Sequence, residues 1–451
     1  MLKDVPSSVL IVGSGVFGLS TAYNLAQRPE FKDTKVTVLD RLDFPAHDAA
    51  SIDSSRIVRP DYPDAAYSKL AAQAQKLWRG DFGAEGRYSE SGLAILLDDE
   101  DSKLGRAYME GSLRNVSLKL GLKQGPRSEG GQVTVLDDEE AIKGVVKNMS
   151  GHIGKLGYVN WTSGWAHAEN AMLHLRRLVE ATNRVSFQRG EVAHLLFSPS
   201  PSSPTVSGVV LNDASELRAN LTILATGAWT PRLLDLRGIA SASGQILAYI
   251  DLTPSEQEKL GGNPCMLNES SGMFIIPPAN NVLKVARHGY GYANPTTIPH
   301  PERPGTGETI TVSLPRTKTD DPHLNIPAEG DRACRDFLKR CIPELGDRPW
   351  THTRICWYTD TPSSDWLIDY HPTYSGLFVA TGGSGHGYKF LPVIGERIAE
   401  VLMEETRDEL SEELRRKWSW PKEKFRTEHV WTDDWRGGAK GMILDEELKK
   451  S

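Results

Sequence analysis

Cysteine is scarce: Cys265, Cys334, Cys341 and Cys356 are the 4 in 451 residues. None forms a C-x-x-C pair and none has histidines at zinc spacing, so no disulfide framework and no metal site are expected. Long apolar runs are missing too. The most apolar stretches, Val9–Val12 and Leu221–Ala225, are strand-sized, far below the roughly 18 residues that cross a bilayer, so no membrane partner is expected. Positive charge is not in excess: 52 Lys+Arg face 59 Asp+Glu, a net −7, which argues against a nucleic-acid-coating protein. No leader is expected at the N-terminus, where an apolar strand running into a glycine turn begins within ten residues. The N-x-S/T sequons at Asn115, Asn148, Asn160, Asn220 and Asn268 are therefore expected to be chance matches. The end Lys449-Lys450-Ser451 is not a Ser-Lys-Leu peroxisomal address, so the expected compartment is the cytoplasm.

What is present is ordinary for a globular enzyme, with 39% hydrophobic and 25% charged residues. The length sets a prior of about three domain-sized units. Ser8–Gly13 reads as a buried strand ending in a glycine turn, Val16–Gln27 as a helix stopped at Arg28-Pro29, and Lys35–Asp40 as a second buried strand. That order is a βαβ unit of a parallel sheet. Further helices are predicted at Ala65–Arg79, Ala166–Thr182 and Val393–Glu404. Val185–Phe197 reads as a strand with its extension, and the Ser/Pro tract Ser198–Pro204 as a hairpin turn. Leu221–Ala225 and Gly376–Thr381 return to the buried type, whereas Gln245–Leu252 and Val282–His288 read as strands of a different, mixed sheet. Pro295–Pro327, rich in Pro, Thr and Gly, is expected to be an irregular loop.

The expected fold class is α/β: a discontinuous Rossmann-like nucleotide-binding domain with an inserted α+β substrate domain on a mixed sheet. The division predicted is 1–90, 156–243 and 350–410 for the nucleotide-binding domain, read below as FAD-binding from its glycine turns, and 91–155 and 244–349 for the substrate domain. Residues 411–451 are read as a C-terminal extension.

Gly13-Ser14-Gly15-Val16-Phe17-Gly18 fits G-x-G-x-x-G. The first glycine permits the tight turn, the second lets a pyrophosphate approach the backbone, and the third lets helix and strand pack closely. Asp40 follows at the roughly 20-residue distance of the carboxylate that binds a ribose 2′-OH, which disfavours NADP. The loop alone does not separate FAD from NAD. Ala225-Thr226-Gly227-Ala228, at the end of the buried strand Leu221–Ala225, and Gly382-Gly383-Ser384-Gly385-His386-Gly387, after Gly376–Thr381, tilt the reading to FAD, because an extended FAD could use all three turns.

At these residues the chain resembles the flavin-dependent amine oxidases of the monomeric sarcosine oxidase family. Within that family it resembles the fungal enzymes acting on L-saccharopine, L-pipecolate and fructosyl amino acids. The similar blocks are Val9–Asp40, Ser54–Trp78, Gly157–Glu169 (GYVNWTSGWAHAE), Leu221–Trp229, Leu283–Gly291 (LKVARHGYG) and Thr353–Phe390. LKVARHGYG and GGSGHGYKF look closest to the L-saccharopine oxidase type.

The resemblance implies FAD bound covalently, with Cys356 as the thioether residue, and Tyr358 facing the substrate. In an extended Arg354–Tyr358 segment these two would share a face, roughly 7 Å apart. It also implies that Lys284 lies near flavin N5 and promotes reaction with O2. A preorganised cation there would stabilise the charge that electron transfer to O2 creates, and gives an apolar-flanked lysine a reason to be buried. His288, four residues on, falls in the substrate pocket. Arg56 is implied near the flavin, Arg59 and Lys389 at the substrate carboxylate, where a guanidinium fork and a point charge neutralise an anion. His386 is implied in the turn facing the flavin. Arg41, Ser51, Ser55, Val192 and Trp229 complete the implied cofactor contacts, with Gly383, Gly385 and Gly387. Sarcosine-specific members carry a tyrosine shortly before the lysine strand. Here Gly272-Met273-Phe274 lacks it, which argues against sarcosine as the preferred substrate.

The expected activity is oxidation of the C–N bond of a secondary-amine amino acid, with O2 reduced to H2O2, by a monomer whose only partners are a small-molecule amine and O2. Fructosyl amino acid oxidation is the alternative. A flavin dehydrogenase with another electron acceptor is a further one, and a flavoprotein binding module without turnover is the reading from outside the enzymes.

Overall fold

A computed structural model describes residues 5–98, 102–198, 204–422 and 429–450. A six-stranded sheet runs in the order Leu367–Tyr370, Leu377–Thr381, Leu221–Leu224, Ser8–Val12, Lys35–Asp40, Val185–Arg189. Its neighbours are parallel except for Leu367–Tyr370, which is antiparallel to Leu377–Thr381. The apolar runs of the sequence are its central strands, covered on both faces. Val9, Ile11 and Ile223 belong to one core with the helix Val16–Gln27, and Leu10, Val12 and Leu224 to another on the opposite face.

An eight-stranded mixed sheet runs His352–Asp360, Ser241–Asp251, Val282–Arg287, Met273–Ala279, Cys265–Asn268, Leu93–Leu97, Leu156–Asn160, Val133–Leu136. The pair Cys265–Asn268 and Leu93–Leu97 is parallel; the other neighbours are antiparallel. Leu156–Asn160 and His352–Asp360, which the sequence division groups with the FAD-binding residues, are strands of this sheet. The chain therefore crosses between the two sheets where several site residues lie.

Two local expectations are corrected. Pro295–Pro327 is not irregular throughout, because Pro295–Pro299 and Thr309–Ser313 pair as an antiparallel hairpin. Ile310 and Val312 alternate with threonines and pack with Leu314 in a small core of their own, which explains the strand. The predicted strand Val185–Phe197 is two strands. Val185–Arg189 edges the six-stranded sheet, whereas Val192–Phe197 joins a three-stranded sheet with Val206–Leu211 and Glu216–Arg218. The break falls at Gly190, whose N–H donates to the Asp40 carbonyl at 2.8 Å. Of the tract Ser198–Pro204, residues 199–203 lie outside the described residues; the strands flanking it pair antiparallel.

The helix Ala65–Arg79 starts where the Asp64 side chain accepts the Tyr67 N–H at 3.0 Å, and ends at Gly80. After the helix Glu409–Trp418 the chain returns to the mixed sheet, with bridges Gly289–Gly437 and Ala293–Ile443.

Candidate active site

A cavity of about 320 Å³ opens between the two sheets. Its nucleotide end is built at the turn after Ser8–Val12. Gly13 has φ +103°, and a Cβ there would stand 2.4 Å from the Ala225 carbonyl oxygen. A Cβ on Gly18 would stand 1.9 Å from the Gly13 carbonyl oxygen, so both positions exclude any larger residue. At Gly15 the space is open, with only Ser51 Oγ at 3.9 Å from the projected Cβ. No side chain caps the helix that begins at Val16, so its first-turn N–H groups remain for an anion. The backbone cradle and the donors fit a dinucleotide pyrophosphate. Asp40 accepts from the Ser14 N–H at 2.7 Å and from its hydroxyl at 2.6 Å, which fixes the carboxylate at the end of the second strand.

Gly13, Gly15, Val16, Phe17, Asp40, Arg41, Ser51, Val192, Ala225, Thr226, Gly227 and Trp229 line this end. Ser14 and Gly18 do not; they shape the turn from behind. Arg41 pairs with Asp48 and stacks over the Trp229 ring at 4.8 Å. Gly383, Gly385, His386, Gly387 and Lys389 line the opposite wall. Gly385 is obligatory, because its Cβ would stand 2.3 Å from Tyr358 Cε2.

The mixed sheet supplies the rest. Cys356 and Tyr358, two apart on His352–Asp360, both line the cavity, as alternation requires. Lys284 and His288 also line it, although the strand Val282–Arg287 ends one residue before His288. Arg56 and Arg59 lie at the start of and just after the short strand Arg56–Val58. Ser55 is absent from the lining. Its carbonyl instead accepts the Lys284 ammonium at 2.5 Å.

Two clusters of charge divide the site. Lys284, 2% exposed, also donates to Asp53 at 3.1 Å. Burial first, then the nearby Arg56, lowers its pKa to about 8 against the pull of Asp53. Arg56 Nη2 stands 3.8 Å from Cys356 Sγ. In the second cluster the Arg59 guanidinium donates to the Tyr108 hydroxyl at 2.9 Å and lies over the Tyr62 ring at 4.9 Å, while its buried Nη1 has no partner. Lys389 donates to the Tyr62 hydroxyl at 2.8 Å and to the His386 carbonyl at 2.9 Å. Burial, then Arg59, pulls the Lys389 pKa well below its ordinary value. Among the described residues no carboxylate forms an ion pair with Arg59 or Lys389. A buried guanidinium with a free nitrogen, beside a buried lysine that an anion would charge, makes a receptor for a carboxylate.

His386 Nε2 meets the Ser364 carbonyl at 2.9 Å and so must donate, which leaves Nδ1 to accept from the Tyr62 hydroxyl at 3.2 Å. Burial keeps His386 and His288 neutral, with pKa values well below 6.5. Asp53, Tyr62, Tyr108 and Arg436 are contributors that the sequence reading missed. Asp53 and Tyr62 stand within three residues of Arg56 and Arg59 but carry no spacing signature, Tyr108 lies 49 residues from Arg59, and Arg436 lies in what reads as an extension.

The model of the FAD dependent oxidoreductase (DAO) family matches residues 8–401. Amino acid oxidase imqH of Aspergillus flavus is 33% identical over 471 residues, covering 92% of this chain and 98% of that protein. L-saccharopine oxidase of Schizosaccharomyces pombe is 29% identical, covering 94% and 95%. Among solved structures, the deglycating fructosamine oxidase Amadoriase II of Aspergillus fumigatus, in complex with FSA, superposes with a TM-score of 0.79 at 26% identity over 97% of this chain and 95% of that one.

Proposed function

The chain belongs to the family of FAD-dependent oxidoreductases, and we propose that within it the chain is an oxidase of amino acids bearing a secondary amine, of L-saccharopine or L-pipecolate type. The observation that carries the reading is the pair Arg59 and Lys389, which among the described residues form no ion pair with a carboxylate, in the same cavity as Lys284, Cys356 and the glycine turn.

Arg59 Nη1 and Lys389 Nζ receive the substrate carboxylate. Tyr62 spaces the two cations, and Tyr358 with His288 borders the carbon–nitrogen bond to be oxidised. The Gly13–Gly18 turn, Asp40, Thr226 and the 383–387 turn would hold FAD, with Cys356 as its point of attachment, and the bound group would supply a two-electron acceptor for the substrate C–H. Arg56 Nη2 stands 3.8 Å from Cys356 Sγ, the atom that would form that linkage. With both histidines neutral, no side chain is required to act as a base if the amine enters unprotonated. Lys284 presents the positive charge that favours electron transfer to O2. The balance is substrate, O2 and water giving an amine, a carbonyl compound and H2O2.

A second reading, oxidation of a fructosyl amine, is supported by the likeness to the fructosamine oxidase structure. The test is anaerobic bleaching of the flavin by saccharopine, pipecolate, sarcosine, fructosyl-lysine and fructosyl-valine, followed by H2O2 measurement in air. Bleaching by saccharopine or pipecolate first supports the main reading. A fructosyl amino acid bleaching fastest transfers it to the second. Turnover without H2O2 points to a dehydrogenase, and a flavin that no amine bleaches removes both oxidase readings.

A further inference from the structure

Asp53 sits where three strands of the mixed sheet meet the loop that precedes Arg56, and its side chain is 1% exposed. Its Oδ1 accepts the Tyr249 hydroxyl at 2.8 Å and the Ser54 N–H at 2.6 Å. Its Oδ2 accepts Lys284 Nζ at 3.1 Å and also pairs with Arg56. Arg354 adds positive charge from the neighbouring strand while its own guanidinium holds the Ile52 and Ala49 carbonyls, each at 2.6 Å. One carboxylate thus stands against Lys284, Arg56 and Arg354.

The groups acting on Lys284 are Asp53, Arg56 and Cys356; the Phe274 ring lies 5.8 Å away and Cys265 completes the surroundings. Asp53 is the carboxylate paired with Lys284. If its charge were removed, Lys284 and Arg56 would face each other in a site of low dielectric. An arginine does not give up its proton, so the lysine would. The lost hydrogen bond would also leave Nζ tethered to the Ser55 carbonyl alone.

We propose that Asp53 is a positioning residue for the oxygen step: it holds Lys284 as a charged ammonium aimed into the cavity, without itself touching substrate or dioxygen. The proposal rests on the reading that Lys284 serves the reaction with O2. It assigns a role to a residue whose only sequence signal is its nearness to Arg56.

The experiment uses the holoenzyme and the variants Asp53→Asn, Asp53→Glu and Lys284→Met. Flavin absorbance is titrated with base in the absence of substrate, and reoxidation of the reduced enzyme by O2 is followed by stopped flow across the same pH range. Wild type is expected to show a spectral transition near the Lys284 value of about 8 that Lys284→Met lacks. In Asp53→Asn the transition moves to lower pH and reoxidation slows by about 10- to 100-fold at pH 8, whereas anaerobic reduction by substrate slows far less. Asp53→Glu, which keeps the charge, recovers part of both. If Asp53→Asn does not fold, Asp53→Glu carries the test alone: its displaced carboxylate moves the transition and slows reoxidation part of the way towards Lys284→Met. An unchanged transition and unchanged reoxidation in Asp53→Asn, or in Asp53→Glu when only that variant folds, overturn the proposal, as does a transition that persists in Lys284→Met. Should Lys284→Met reoxidise like wild type while Asp53→Asn still moves the transition, the oxygen role of Lys284 fails and the hold of Asp53 on its proton stands.

Discussion

Arg436 Nη1 lies 2.5 Å from His288 Nε2. A guanidinium only donates, so this nitrogen of His288 presents its lone pair and the ring carries its proton on Nδ1, which faces the Tyr358 oxygen at 3.5 Å. Arg436 is itself held by Asp434 at 3.1 Å and the Ser384 carbonyl at 3.0 Å. The segment after the family-matched residues thus reaches the back of the site and fixes the protonation of a residue that lines it.

Replacing Arg436 by Met is expected to release that constraint. Burial and Arg436 hold the His288 pKa well below 6.5 in the wild type, so the imidazole stays neutral over the physiological range. Without the guanidinium its pKa rises toward the ordinary value, and protonation adds a positive charge beside the reacting amine. The pH profile of kcat/KM for Arg436→Met should therefore fall more steeply at low pH than that of wild type, with a second ionisation added to the one set by the substrate amine. A profile parallel to wild type would assign Arg436 to packing alone.

Lys389 leads to a proton-linked affinity. Its pKa is depressed in the free protein, so it is neutral above that lowered value, and a carboxylate bound between it and Arg59 raises the pKa again. Binding then takes up a proton, and the affinity for acetate should fall as pH rises between the lowered and the ligand-restored pKa, by at most about tenfold per pH unit. Flavin difference spectra at several pH values measure this. Lys389→Met is expected to bind more weakly and without the slope.

Cys356→Ala is expected to release all of its flavin on denaturation, whereas denatured wild type stays yellow and fluorescent on a gel. Cys334, buried near the Val285 carbonyl at 3.9 Å and outside the cavity lining, is the control: Cys334→Ala should keep the flavin attached. Loss of attachment in both, or in neither, would contradict the assignment of Cys356.

The nucleotide end was legible because its physics is local. A strand covered on both faces must be apolar along its length, and the turns at Gly13 and Gly18 tolerate no Cβ. The hairpin strand Thr309–Ser313 was hidden because its two inward residues, Ile310 and Val312, stand among Pro- and Gly-rich flanks that dominate the local pattern. Asp53, Tyr62 and Arg436 were illegible for another reason. Each is a single polar residue whose meaning comes from a partner far along the chain, 231 residues for Asp53 and Lys284 and 148 for Arg436 and His288. No spacing rule encodes such a pair.

Tyr62 offers the most direct probe of the anion receptor. Its hydroxyl donates to His386 Nδ1 at 3.2 Å and accepts from Lys389 at 2.8 Å, and its ring lies under the Arg59 guanidinium. Tyr62→Phe keeps the ring, and with it the support of Arg59, but strips one partner from each of two buried nitrogens. Leaving such groups unsatisfied costs about 1–3 kcal/mol, which should appear as a lower Tm. Lys389 would then be tied only to the His386 carbonyl at 2.9 Å, so the receptor loses definition on one side while the groups around the C–N bond stay in place. The expected outcome is a KM for the amino acid raised by about tenfold with kcat changed much less, because a contact made equally in ground and transition states has been weakened. A fall in kcat with KM unchanged would instead put Tyr62 at the reacting bond and remove the carboxylate from the Arg59–Lys389 side of the cavity.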